Sequence, residues 1–414
     1  MRVLQLSWEH PPVVYGGLGR HVGALSAALA QAGHEVTVVT QAGAGAPAQE
    51  RTADGVRVLR VPDDPPLVPR SDLMAWVLAF DHALLRTAIA SGPYDVVHAH
   101  DWLVAHAAAA CKSVLGLPLV ATVHATEAGR HQGWLPSELS TAIHSTEWWL
   151  TYEARRVITC SAAMRWEVTR LFDLPPDSVD VVPNGVESAL WSSRRGPRGP
   201  DGPLLVCAAR LEYEKGVHVL LRALPRLRRR HPGLHLVIAG TGTYEAELRA
   251  LARSLRLGRG VSFTGRLATA ELAALLGRAS VAVVPSIYEP FGMVALEAAA
   301  AGAPLVVSDV GGLHELVEDG VDGVRVPPGD VGALADAVGG LLADEVRAGR
   351  LARTARQRAR SEHIWAAVAA RTAEVYARAA REERTLQDRL RRGAAAPSLR
   401  VVVRDGNLLA GERP

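Results

Sequence analysis

Two carboxylates, Glu289 and Glu297, stand eight positions apart with Phe291–Gly292 between them and a helix-forming run after the glycine. Carboxylates accept hydrogen bonds from hydroxyls, and the amides of Gly292, Met293 and Val294 at a helix start can hold an anion. The combination suits a sugar nucleotide. The preceding stretch Val281–Pro285 is apolar and β-branched, so it predicts a buried parallel strand. Glu289 then lies in a loop at a strand's carboxyl end, where open α/β sheets bind ligands, and Glu297 about two turns into the next helix.

A second group supplies the opposite charge. Arg210 and Lys215 bracket a loop that follows an apolar strand and precedes Gly216 and a helix. Arginine offers a planar fork to phosphate oxygens and lysine a mobile point charge, so the pair could neutralise a diphosphate without a metal. A solvated loop bridged by Glu212 and Glu214 is the bland alternative. Gly16, Gly17 and Gly19 between the first strand and first helix permit close backbone approach to a ligand, or simply make a tight turn. Gly240 and Gly242 form another glycine-rich strand exit, equally open between nucleotide contact and turn. Gly311–Gly312 and Glu315 follow a later strand and are expected to shape the site, with Glu315 structural.

Histidines gather at strand exits in the first half: His98 and His100 beside Asp101, then His124. No fixed ligand spacing accompanies them, so no metal is expected. His124 follows an apolar strand directly and is expected to face the cleft, where a neutral imidazole exchanges hydrogen bonds with a sugar hydroxyl; a satisfied core histidine is the alternative. Arg130, His131 and Trp134 in the adjoining loop form a candidate acceptor platform, since an indole covers the apolar face of a sugar ring. Nine tryptophans against four phenylalanines point the same way.

These residues need strands and helices that alternate. The first half reads as strands Val3–Leu6, Glu35–Thr40, Asp95–His98, Leu119–Val123, Arg156–Thr159 and Val179–Val182, with helices Leu18–Ala32, Asp72–Ala90 and Leu135–Tyr152. A linker is expected over 191–202. The second half restarts with strands Leu204–Ala208, Leu234–Ala239, Val261–Thr264, Val281–Val284 and Leu305–Ser308. The fold class is α/β: two doubly wound Rossmann-like domains facing across a cleft, 1–190 and 203–360. A helix over 361–380 is expected to cross back to the first domain, followed by a polar, basic tail over 381–414. Within that tail Leu399–Val403 reads as either a short strand or frayed chain.

Bulk properties narrow the classes. The 414 residues are 48% hydrophobic and 21% charged, a globular composition. A net charge of only +3 argues against a dedicated nucleic-acid binder. Cys111, Cys160 and Cys207 have neither disulfide nor metal spacing. No signal peptide and no transmembrane helix are expected, which fits a cytoplasmic enzyme.

Glu289 and Glu297, with Arg210, Lys215, His124 and the Gly16–Gly17 loop in this order, resemble the retaining glycosyltransferases of family 4. That family has the GT-B fold, and the similarity spans about residues 1 to 380. The stretches Ser7–Arg20 and His124–Trp134 resemble an actinobacterial subgroup that builds α-1,4-glucan, either glycogen-like or the glucan of polymethylated lipopolysaccharides. The resemblance implies that Glu289 contacts the transferred sugar and Glu297 the ribose. It implies that Arg210 and Lys215 hold the diphosphate, that His124 bonds the donor sugar, and that the amides of Phe291, Gly292, Met293 and Val294 cradle phosphate or sugar. Gly17 and its neighbours would line the phosphate and acceptor side.

The implied reaction moves glucose from UDP-glucose or ADP-glucose to the non-reducing end of an α-glucan, with no metal and no other cofactor. The expected partner is that glucan, with no nucleic acid and no integral membrane association; a homodimer stays open. A double displacement would need a carboxylate nucleophile, for which Glu127 is the candidate. Competing readings are a GDP-mannose-dependent transferase with a lipid or small acceptor, a silent carbohydrate-binding protein, and a dehydrogenase. The last is disfavoured because Gly16–Gly17 lies well past the first strand, without an acidic ribose ligand at the expected offset.

Overall fold

The computed structural model describes residues 1–43, 45–62, 68–69, 71–191 and 202–391. Most of the expected linker and the stretch Leu399–Val403 lie outside them. Fourteen strands form two sheets among the described residues. The first sheet comprises β1 (Arg2–Leu6), β2 (Glu35–Gln41), β3 (Gln49–Arg51), β4 (Arg57–Val61), β5 (Val96–His100), β6 (Leu119–Val123), β7 (Arg156–Thr159) and β8 (Val179–Val181). Its order is β3-β4-β2-β1-β5-β6-β7-β8, parallel except for the β3–β4 edge. The second comprises β9 (Leu204–Ala208), β10 (His235–Ala239), β11 (Val261–Gly265), β12 (Val281–Val284), β13 (Leu305–Ser308) and β14 (Val324–Val326). All its pairings are parallel, in the order β11-β10-β9-β12-β13-β14.

The central strands are apolar on both faces because helices cover both. Val3, Leu4 and Leu6 of β1 are fully buried, as are Val281 of β12 and Val306 and Val307 of β13. In each sheet the order reverses beside one strand, β1 in the first and β9 in the second. Ligand crevices in doubly wound sheets open outside the carboxyl ends at such a reversal. The loops after β1, β5, β9 and β12 are therefore the ones to inspect.

Several expectations need correction. The strand expected over Asp95–His98 runs Val96–His100, which puts His98 inside the sheet rather than at its end. The helix after Glu289 begins only at Met293, because Gly292 (φ 104°) sits at its N-cap, so Glu297 lies little more than one turn in. The helix expected from Leu135 starts at Glu138, and a separate short helix, Glu127–Arg130, precedes it. Strands β3, β4 and β14 and the helix Glu345–Glu362 were not expected from the sequence.

The last helix runs Trp365–Arg391, so residues 381–391 are helical rather than tail. Salt bridges extend it: Glu383 reaches Arg155 at 2.8 Å and Glu382 reaches Arg156 at 3.4 Å. Its Val368, Ala369, Val375, Tyr376 and Ala379 join Val3, Val22 and Leu25 in one buried cluster, so the helix packs on the first sheet. One described helix, Leu73–Ser91, is long and apolar enough to cross a membrane, with mean hydropathy 1.4. Its Trp76, Val77, Phe80, Leu84 and Ala88 are buried in the first sheet's core, the behaviour of a core helix.

Candidate active site

The loops after β9 and β12 interlock. Glu214 O accepts hydrogen bonds from the amides of Ile287 (2.7 Å) and Tyr288 (3.2 Å). Gly216 (φ 66°) fits between them because a Cβ there would fall 1.9 Å from Pro285 O. This clasp brings Lys215 Nζ to 3.0 Å from Glu289 Oε2, and Ser286 Oγ donates to the same oxygen at 2.9 Å. Both charged side chains are mostly shielded, 13% and 14% exposed. Beneath them, Gly312 N donates to Glu289 O at 2.9 Å, and a Cβ on Gly311 would lie 2.2 Å from that oxygen. The Gly311–Gly312 pair is thus the floor of the Glu289 loop.

Arg210 is more open, with its guanidinium 3.2 Å from Glu214. Glu212, expected with Glu214 to bridge the loop in the alternative reading, instead accepts from Thr243 N at 3.0 Å. Gly240 and Gly242 stand against the backbone of the β9 exit, where Cβ atoms would lie 1.8 Å from Ala209 O and 2.3 Å from Leu211 O. Close chain packing accounts for both glycines.

The first sheet contributes the opposing wall. Gly16 stands across from Arg210, its notional Cβ 3.9 Å from Arg210 Cδ, and Gly17 faces Met293 at 3.6 Å in the same sense. Glu9, which sequence reasoning missed, fixes this loop by accepting the amides of Tyr15 (2.7 Å) and Gly16 (3.1 Å). Arg20 was missed too. It crosses to Glu297, Nη1 to Oε1 2.5 Å, while Glu297 Oε2 is buried and finds no partner among the described residues. Burial raises the Glu297 pKa, and the Arg20 charge opposes that. An orphan acceptor deep in the crevice needs a donor.

His124 accepts the expected position after β6, its amide donating to Asp101 Oδ1 at 2.7 Å. Asp101 holds φ 61° and ψ 177°, a strained conformation for a non-glycine residue of the sort found at functional sites. Burial pushes the Asp101 carboxyl up to about 6. His124 Nε2 lies 3.3 Å from His100 Nδ1, and His21 packs edge-on to His124. His98 is a satisfied core residue, bonded to Thr122 and Tyr376, each at 2.7 Å.

His21, His100 and His124 bring ring nitrogens within 4.8 Å of one another. The trio is a weak metal candidate: His100 Nδ1 and His124 Nε2 face each other, His21 Nδ1 meets Asn184 at 2.8 Å, and only His21 Nε2 and His100 Nε2 are buried without a partner among the described residues. Burial lowers the His124 pKa to about 4. The imidazole should therefore stay neutral above roughly pH 5. A side-chain NMR titration is expected to show a flat His124 resonance from pH 5.5 to 8; an inflection near 6.5 would contradict this.

Arg130 and His131 lie 3.9 and 3.2 Å from Glu127 and stay partly exposed. Glu127 also accepts from Ser140 Oγ at 2.9 Å and is buried against the helix Glu138–Glu153. That tie leaves it poorly placed as a nucleophile. Trp134 is 78% exposed, open to a ligand but held by no partner ring among the described residues.

Residues 15–190 match the family model "Glycosyltransferase Family 4" and residues 192–360 match "Glycosyl transferases group 1". A glycogen synthase from Mycobacterium tuberculosis is 50% identical over 406 residues, covering 94% of this chain and 98% of its own. An alpha-maltose-1-phosphate synthase from the same organism is 34% identical, covering 91% and 99%. Among solved structures, a sucrose-phosphate synthase from Thermosynechococcus elongatus aligns with TM-score 0.80 and 26% identity over 91% of this chain and 98% of its own.

Proposed function

Because the chain belongs to glycosyltransferase family 4 and is related to glycogen synthase, we propose that it transfers glucose from UDP-glucose or ADP-glucose to the non-reducing end of an α-1,4-glucan in the cytoplasm. The observation that carries this reading is the shielded Lys215–Glu289 pair where β9 and β12 end. It puts one cation and one hydroxyl acceptor side by side in a crevice suited to a sugar diphosphate. We assign residues 1–190 to the acceptor side and 203–360 to the donor side.

In this reading Glu289 bonds hydroxyls of the transferred glucose, and Glu297 uses its orphan oxygen for a ribose hydroxyl. Arg210 and Lys215 take the diphosphate, with the amides of Phe291 to Val294 beside it. The C1–O bond to phosphate breaks and its electron pair leaves with the diphosphate. The acceptor oxygen then bonds to C1 from the same face, and its proton passes to the departing phosphate oxygen. Retention follows without a covalent enzyme intermediate, in keeping with the engagement of Glu127 by Ser140 and His131. Fixed charges in a water-poor cleft supply most of the acceleration.

The test is product mass and nucleotide release with a maltooligosaccharide and, in parallel, UDP-glucose, ADP-glucose and GDP-mannose. Growth by one hexose from a glucose donor is expected. Turnover from GDP-mannose alone, or from none of the three, would overturn the substrate assignment.

A further inference from the structure

The two half-sites meet at a hydrogen-bonded node outside the donor crevice. Glu167, on the helix Ala162–Phe172 of the first domain, accepts at Oε1 from two hydroxyls. One is Thr126 Oγ1, two residues past His124. The other is the Tyr288 hydroxyl, 2.9 Å away and adjacent to Glu289. The amide of Thr126 also donates to the Tyr288 oxygen at 3.3 Å, which closes a three-membered ring of contacts.

Thr126 is fully buried and caps the short helix Glu127–Arg130, its Oγ1 accepting from Gly129 N at 2.9 Å. Gly129 explains itself here. It lies within a helix, yet a Cβ would fall 2.5 Å from both Glu167 Oε1 and the Tyr288 oxygen. Space for the node, rather than backbone freedom, accounts for the glycine.

The helix Ala162–Phe172 that carries Glu167 also grips the other side of Glu289. Its N-cap Ser161 donates to Pro290 O at 2.7 Å, and its first amides, Ala162 and Ala163, donate to the Glu315 carboxylate at 2.9 and 2.7 Å. Glu289 is thus flanked by two residues, Tyr288 and Pro290, that are both held by one element of the opposite domain. Separation of the domains breaks the bonds of Tyr288 to Glu167 and Thr126, of Ser161 to Pro290, and of Ala162 and Ala163 to Glu315 at once.

We propose that Glu167 is a positioning residue for transfer, which couples domain closure to the placement of Glu289 and the His124 loop through Tyr288 and Thr126. It touches neither donor nor acceptor and acts through its two hydroxyl partners. This rests on the reading of Glu289 as the sugar-contacting carboxylate. The donor binds mainly to the second domain, so loss of the node should impair turnover and spare nucleotide binding.

The full-length protein and its Tyr288→Phe, Glu167→Ala, Glu167→Gln and double Tyr288→Phe/Glu167→Ala variants provide the test. Tyr288→Phe and Glu167→Ala should each lower kcat about tenfold, the worth of one buried hydrogen bond, with donor KM and the Kd for UDP or ADP changed less than about twofold. The double variant should be no worse than the weaker single, and Glu167→Gln, whose amide oxygen still accepts, should recover most of the loss. Hydrogen exchange should rise together in residues 124–131 and 286–292 of Tyr288→Phe. Additive losses, unchanged kcat, equal loss of nucleotide affinity, or faster exchange on one side only would each overturn the proposal. If the unmodified protein transfers no glucose from either donor, the substrate reading fails, and the paired exchange response alone decides whether Glu167 joins the two loops.

Discussion

Replacing Glu289 with glutamine is expected to lower kcat by at least a hundredfold while circular dichroism stays that of the native protein. The amide keeps the size of the carboxylate and can still meet Ser286 Oγ, 2.9 Å away, but it no longer balances Lys215 at 3.0 Å. Two effects then add. The transferred sugar loses a charged acceptor, whose hydrogen bonds are about twice as strong as neutral ones. Lys215 also keeps its charge in a shielded place without a counter-ion, which costs stability, so a modest fall in melting temperature should accompany the kinetic loss. Glu289→Ala removes the Ser286 bond as well and should be worse on both counts. Initial rates with saturating donor and glucan check this, and near-native turnover in either variant would remove Glu289 from the reaction.

Lys215→Ala should rank with it. The departing diphosphate gains negative charge in the transition state, and one fixed donor to such charge is typically worth about 2.7–4 kcal/mol, or roughly 10²–10³ in kcat. Arg210 stands in the same loop but is 45% exposed and paired with Glu214, so its charge is screened more by water. We therefore expect Arg210→Ala to weaken nucleoside diphosphate binding chiefly, and Lys215→Ala to damage turnover chiefly. Lys215→Arg should restore only part of the rate, because a planar fork does not fit where a compact ammonium meets Glu289. Separate kcat values and calorimetric affinities for UDP and ADP distinguish the two roles; identical profiles would argue against the division.

The GT-B architecture was legible because its strongest strands are continuous apolar runs. Val281–Val284 and Leu119–Val123 are wholly buried. What escaped notice lacked such a run. Strand β3 is Gln49–Arg51, three polar residues at a sheet edge. The helix Glu345–Glu362 buries Ala348, Ala352, Ala355 and Ala359 around a single leucine, Leu351, so its apolar stripe is faint beneath six arginines. The sequence sets the start of the tail too early because Glu382 and Glu383 look solvated until Arg155 and Arg156 stand beside them.

The candidate site divides along the same line. Lys215 and Glu289 could be read from strand exits within one sheet, since the position of a strand end fixes the position of its loop. Arg20, Glu167 and Tyr288 could not, and Glu315 was legible only as a structural residue without its partner. Their partners lie 121 to 277 residues away, on the far side of a cleft whose closure no local pattern encodes. Arg130 and His131 show the converse, a partner that is close in sequence. The sequence shows them as an open loop, and in the structure both approach a single buried carboxylate, Glu127, while staying partly exposed.

The final helix, Trp365–Arg391, has a consequence for how the chain is made. His98, in the middle of β5, completes its hydrogen bonds only with Tyr376, 278 residues later. Val22 and Leu25 likewise share a buried cluster with Val368 and Val375. The half of the protein that leaves the ribosome first is thus the half that is finished last. While the second sheet is synthesised and folds, the first must wait with part of its apolar surface and a buried histidine uncovered, an interval in which misassembly competes with completion.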